Sequence, residues 1–143
     1  MGNQVLYGLA KKKLSQGGGI IACWSCGCAR GEEAYGLLLL WRHRLKKHFK
    51  RVDLRVIGTD AHAEQIEDAL QALYPRYALQ DLPQRWIDRN FRERPTGFAL
   101  LKDVKDWVSF RCELPLDVIA FEPNALSSPS AMPAHSQAPG CAA

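Results

Sequence analysis

The stretch from Ile20 to Tyr35, IIACWSCGCARGEEAY, constrains the fold more than any other part of the chain. An apolar run of Ile20, Ile21, Ala22, Cys23 and Trp24 stops at Ser25, Cys26, Gly27, Cys28, Ala29 and Gly31, which are small residues and glycines. That is the pattern of a buried strand entering a tight turn. Glu32 and Glu33 follow, and then Ala34, Leu37, Leu38, Trp41, Leu45 and Phe49 recur at helical spacing. Strand, glycine turn and helix thus succeed one another without a gap. In open α/β sheets this junction receives nucleotide-like ligands, because glycine lets the backbone approach and the ligand lies beyond the carboxyl end of the strand.

Two carboxylates at the helix start set this turn apart from a phosphate-binding one. A phosphate favours bare N–H groups at the positive end of the helix dipole, and Glu32 and Glu33 compete with it there. They suit a cationic or hydroxyl-rich ligand better. They also complement the dipole without any ligand, as acidic residues in many first turns do.

Asp53 to Asp60, DLRVIGTD, reads as the second strand. An acidic residue at its tip is placed to accept hydrogen bonds from both ribose hydroxyls of an adenosine cofactor. The alternative is that Asp60 caps the next helix, whose apolar positions Ile66, Ala69, Leu70 and Leu73 follow at once. Both roles coexist only if different carboxylate oxygens serve them.

WSCGCARGEEAYG resembles the first cofactor motif of the CheR-type methyltransferases, which use S-adenosylmethionine to methylate glutamate side chains of bacterial chemoreceptors. Members of that family read Trp-Ser, a small-residue turn, then Thr-Gly-Glu-Glu-Pro-Tyr-Ser; here Arg30 stands for the Thr, Ala34 for the Pro and Gly36 for the Ser. The family also has a Thr-Asp or Ser-Asp where Thr59-Asp60 stands, and a helix and Tyr-containing segment where AHAEQIEDALQALYPRYALQDLP stands. Two strand-like runs, GFALLK and WVSFRC, follow as they do in the family. The resemblance covers about Ile20 to Cys112. It implies an α/β, doubly wound, Rossmann-like fold, S-adenosylmethionine as cofactor, and a chemoreceptor or other protein glutamate as methyl acceptor. It further implies cofactor contacts at Gly27 and Glu33 in the turn, Asp60 at the ribose and Leu114 at the adenine, with Glu113-Leu114 as the nearest candidate for the family's polar-Leu step. The family's N-terminal helical domain and Phe-Phe-Arg segment are not found.

The 143 residues suit one small domain, and 47% hydrophobic content is enough for a core. From Glu122 the composition turns to Pro, Ser and Ala, too poor in apolar surface to fold. The expected organisation is therefore a basic, glycine-rich segment over 1–18, a partial methyltransferase domain over 19–121, cut short after its third or fourth strand, and a disordered tail over 122–143. In that sheet the Ile20 and Asp53 strands lie side by side in parallel and the Phe98 to Cys112 region adds the next edge.

Net charge of +4 permits acidic partners without demanding one. The basic run RHRLKKHFKR, Arg42 to Arg51, complements the dipole at a helix C-terminus and lacks the interleaved aromatics of a base-stacking surface, so no nucleic-acid partner is expected. Cys23 and Cys26 form a C-x-x-C, but residues three apart on a strand point to opposite faces, and no second pair completes a zinc site. Reduced thiols and no metal are expected. No stretch reads as a secretory signal or a membrane span, which points to a cytoplasmic protein without membrane insertion.

Methyl transfer from a sulfonium to a carboxylate is a displacement with a good leaving group and an ionised nucleophile, so it needs alignment more than acid–base groups. No catalytic residue is expected from the sequence. The alternative is a truncated remnant or regulatory module that holds the cofactor without catalysis.

Overall fold

A computed structural model describes residues 2–113. Leu114, the strand-like echo in LPLDVIAFEPNA and the tail over 122–143 lie outside the described residues.

The apolar run before the glycine turn forms β1 (Gly19–Cys26), and DLRVIGTD lies in β2 (Val52–Asp60). They pair in parallel with Ile21 opposite Leu54 and Cys26 opposite Thr59. The third parallel strand, β6 (Val108–Cys112), pairs along the far side of β2, so the sheet runs β1-β2-β6 and β2 is buried along most of its length. That burial on both sides is why β2 reads as a continuous apolar run rather than an alternating one.

Between β1 and β2 runs α2 (Glu32–Leu40), continued by a π-helical turn over Trp41–Leu45 and a 3-10 turn over Lys46–His48. Between β2 and β6 runs α3 (Ala63–Gln71). Successive right-handed crossovers in one direction put α2 and α3 on the same face of the sheet. There Leu38, Leu39, Trp41 and Leu45 meet Ile21, Leu54, Val56 and Val108, with Ile66 and Ala69 of α3 completing the core. Trp41 is stacked on Phe49 at 6.2 Å, which accounts for the helical periodicity persisting past Leu40.

The first residues are not only a lead-in. Gly2–Ser15 form α1, which buries Leu6 and Ala10 in the same core and sets Tyr7 edge-on to Phe49. The opposite face of β1 shows Ala22, Trp24 and Cys26 to solvent, so Cys23 and Cys26 do point to different sides. Among the described residues, β1 has no strand on its outer edge.

One expectation fails here. GFALLK does not extend the parallel sheet: β5 (Gly97–Leu100) lies between β3 (Leu73–Tyr74) and β4 (Phe91–Arg94) in a separate antiparallel sheet. Only Val108–Cys112 of the region expected to add an edge does so. The reason is local: β4 and β5 are joined by a two-residue turn at Pro95-Thr96, which forces antiparallel pairing, whereas a parallel partner needs a long crossover. The insert is completed by α4 (Gln84–Asn90), and α5 (Lys102–Lys105) leads into β6.

The basic helix end is largely engaged. Arg42 donates to the Asp103 carboxylate at 3.0 Å and to its carbonyl at 2.7 Å, and Lys46 bonds Asp53 at 2.6 Å together with the carbonyls of Lys50 and Val52. Arg44 lies over the Trp86 ring at 5.6 Å. These contacts fasten the helix end to β2, α4 and α5.

Two helices are tied by one hydroxyl: the buried Tyr35 of α2 donates to the carbonyl of Ala69 in α3 at 2.8 Å. Burial pushes the Tyr35 phenol well above its ordinary range, so it remains a donor. Tyr35→Phe should lower stability by about 1 kcal/mol, the net worth of one neutral hydrogen bond, as measured by urea unfolding.

Candidate cofactor site

The turn after β1 is shaped by backbone that few side chains allow. Gly27 has φ 66° and Gly31, the residue that opens α2, has φ 85°. Gly31 sits against the Phe110 ring of β6, and a Cβ there would lie 2.9 Å from its Cζ. Above Gly27 the space is open, with nothing within 4 Å of where a Cβ would stand. The turn is thus packed from below and clear on its outer side.

It is held to β2 by two bonds. Cys28 donates its N–H to the carbonyl of Thr59 at 2.9 Å, and Ala29 donates its N–H to Oδ2 of Asp60 at 3.0 Å. Asp60 Oδ1 accepts from the N–H of His62 at 2.9 Å and lies 2.9 Å from the His62 ring Nδ1. The carboxylate is not the N-cap of α3. That position belongs to His62, which makes no side-chain cap, so capping is not Asp60's role. Burial works against the charge of Asp60, whose side chain is only 12% exposed, but the bonds from His62 and Ala29 outweigh it and hold the group below the usual carboxylate range.

A carboxylate ionised more readily in the fold than in the open chain stabilises the fold above its unfolded pKa, and that contribution is lost as pH falls through the lower folded value. Acid unfolding followed by circular dichroism below about pH 4 should therefore show a smaller pH dependence in Asp60→Asn than in the parent chain.

Glu32 and Glu33 both lie exposed in the first turn of α2. Glu33 is near enough to the turn for its charge to act on Cys28, whereas Glu32 acts on Tyr74. The structure therefore brings Gly27, Glu33 and Asp60 to one end of the parallel sheet, beyond the carboxyl ends of β1 and β2; Leu114 lies outside the described residues. Burial and the charge of Asp60 push the Cys28 thiol up to about 12, which makes it a packing group and not a nucleophile.

Sequence reasoning missed three participants. Tyr74 reaches from the insert to donate its hydroxyl to the carbonyl of Arg30 at 2.7 Å. Arg30 lies over the Tyr74 ring at 5.9 Å and pairs loosely with Asp68 at 4.0 Å. His62 was visible only as a polar residue after an acidic strand end. Its i, i+2 spacing from Asp60, the range of side-chain to backbone turns formed by aspartate, is the signal that could have found it.

Among the described residues, no group of three His, Cys, Asp or Glu is placed to hold a metal, and Cys23, Cys26 and Cys28 are free thiols. The expectation of reduced thiols fails at Cys112, which is disulfide-bonded. No helix among the described residues is long and apolar enough to cross a membrane. A groove of about 560 Å³ lined by residues such as Arg76, Leu79, Ile87 and Phe98 belongs to the insert and includes none of the turn residues.

The family model for the CheR methyltransferase SAM binding domain matches residues 2–125. The chain belongs to the CheR methyltransferase family. Similar proteins include the chemotaxis protein methyltransferase 2 of Vibrio cholerae, 28% identical over 94 residues that make up 65% of this chain and 32% of that protein. The chemotaxis protein methyltransferase of Borreliella burgdorferi is 25% identical over 84 residues, 59% of this chain and 30% of that one. An uncharacterized 104.1 kDa protein of Rhodobacter capsulatus is 27% identical over 93 residues, 65% of this chain and 10% of its own length. The chain thus spans about a third or less of the curated relatives it matches.

S-adenosylmethionine is the cofactor of this CheR-type domain. The residues present fit its adenosine end. A desolvated, ionised aspartate stands at the tip of β2 beside a turn with open space above Gly27, and the two glutamates add negative charge where a ligand with an ammonium and a sulfonium group would lie.

Proposed function

We propose that this CheR-type domain binds S-adenosylmethionine at the β1–α2 turn and serves transfer of its methyl group to glutamate carboxylates of a chemoreceptor-type protein. The observation that carries the reading is the Asp60 carboxylate, half-buried, ionised and bonded to the glycine turn at the carboxyl end of the parallel sheet. Asp60 takes the ribose hydroxyls, Gly27 lets the backbone approach, and Glu33 faces the cationic portion. When bound, S-adenosylmethionine supplies a methyl on a sulfonium, open to in-line displacement by an ionised carboxylate. The chain's own part is to bind and orient. That division of labour suits a site whose cysteine is neutral and whose histidine, His62, is exposed at the rim.

A second reading is a module that holds the cofactor without transferring methyl. One experiment separates the two. The purified chain is titrated with S-adenosylhomocysteine by calorimetry and then incubated with radiolabelled S-adenosylmethionine and a chemoreceptor cytoplasmic fragment. Binding with label transfer supports the enzyme, binding without transfer supports the module, and no binding overturns both.

A further inference from the structure

We propose that His62 gates the ribose position: its imidazole occupies the edge of Asp60 that a ribose hydroxyl needs, so an adenosyl ligand must displace the ring in order to bind. The inference rests on the cofactor reading above and concerns a residue to which that reading gives no role.

The lone pairs of Asp60 are limited. An ionised carboxylate offers about four acceptor sites, two on each oxygen. Oδ2 of Asp60 spends one on the N–H of Ala29, which leaves one. Oδ1 spends one on the N–H of His62 and faces Nδ1 of the His62 ring at 2.9 Å, which leaves none. A ribose with two adjacent hydroxyls needs one site on each oxygen. Oδ2 is ready, and Oδ1 becomes so only if a His62 donor leaves. The backbone N–H is fixed by the start of α3, but the ring is 79% exposed and swings out by rotation about its own side-chain bonds. With the ring out, two sites remain for two hydroxyls.

Asp60 offers these sites as an ionised carboxylate, because the bonds from His62 and Ala29 hold its pKa below the usual carboxylate value.

The test is calorimetric titration of the full chain and of His62→Ala with S-adenosylhomocysteine. His62→Ala should bind several-fold more tightly, because no ring has to leave Oδ1 before the ribose can reach it. Equal affinity in the two proteins, or weaker binding by His62→Ala, would overturn the gate. The contact itself is read without ligand from the ring ¹⁵N resonances of His62, which should move in Asp60→Asn; resonances that stay in place refute the inference whatever the ligand does. If neither protein binds, the cofactor reading falls and the gate falls with it, whereas equal affinity in the two proteins marks failure of the gate alone.

Discussion

Asp60→Ala should weaken S-adenosylhomocysteine binding by about 1.5–3 kcal/mol, or about 10- to 150-fold, the scale of hydrogen bonds to a charged group. The loss has two parts. The ribose would forfeit its acceptor, and the turn would forfeit the bond from the N–H of Ala29 to Oδ2 that holds it against β2. Asp60→Asn separates them, because an amide oxygen can still receive the Ala29 N–H while the charge and one acceptor are gone. Calorimetry on the two variants, with thermal unfolding alongside, should rank the parent chain above Asn and Asn above Ala. Equal affinity in the parent chain and Asp60→Ala would remove Asp60 from the site.

Gly58→Val should destabilise the fold by about 3 kcal/mol, the upper end for overpacking a close-packed interior. Gly58 lies in the middle of β2, and a Cβ there would stand 2.6 Å from Cδ1 of Phe110 and 3.0 Å from the Cys28 sulfur. Neither neighbour can retreat. Phe110 is wedged edge-on to Tyr35 at 5.3 Å and under Gly31, and Cys28 is pinned by its bond to Thr59. A drop in melting temperature of roughly 10–20 °C follows for a domain of this size. Gly36 is the internal contrast: it is helical, with nothing within 4 Å of its Cβ position, so Gly36→Ala should raise stability by up to about 1 kcal/mol. Differential scanning calorimetry that showed the two glycines responding alike would mean that Phe110 is not packed as described.

The parallel sheet was legible because β1 and β2 announce themselves twice, by apolar content and by what ends them. Ile20 to Trp24 stops at the glycine turn, and Leu54 to Ile57 runs on to Thr59-Asp60. The register that brings Asp60 to the turn then follows from parallel pairing and a helix of fixed length between the strands. The insert was not legible. β3 is only two residues long, and β4, Phe91–Arg94, is three-quarters charged, so neither has enough apolar alternation to signal a strand. α1 escaped notice because only Leu6 and Ala10 are buried while Val5, Tyr7 and Leu9 stay exposed, which blurs the helical stripe. In the site, Gly27, Glu33 and Asp60 could be named from type and place. The ring of His62 on Oδ1 and the hydroxyl of Tyr74 on Arg30 could not, because each depends on a side-chain rotation or a meeting between residues far apart in the chain.

The bond from the Ala29 N–H to Asp60 has one more implication, for how such a chain drifts. The same carboxylate that would receive a ribose is the clasp between the first turn and the second strand, so it is retained by any selection for folding. A descendant that had given up cofactor binding would keep this aspartate for its scaffold alone, while Glu33, exposed and uninvolved in the clasp, would be free to change. Within this lineage, loss of cofactor binding should be written first at Glu33 and last at Asp60.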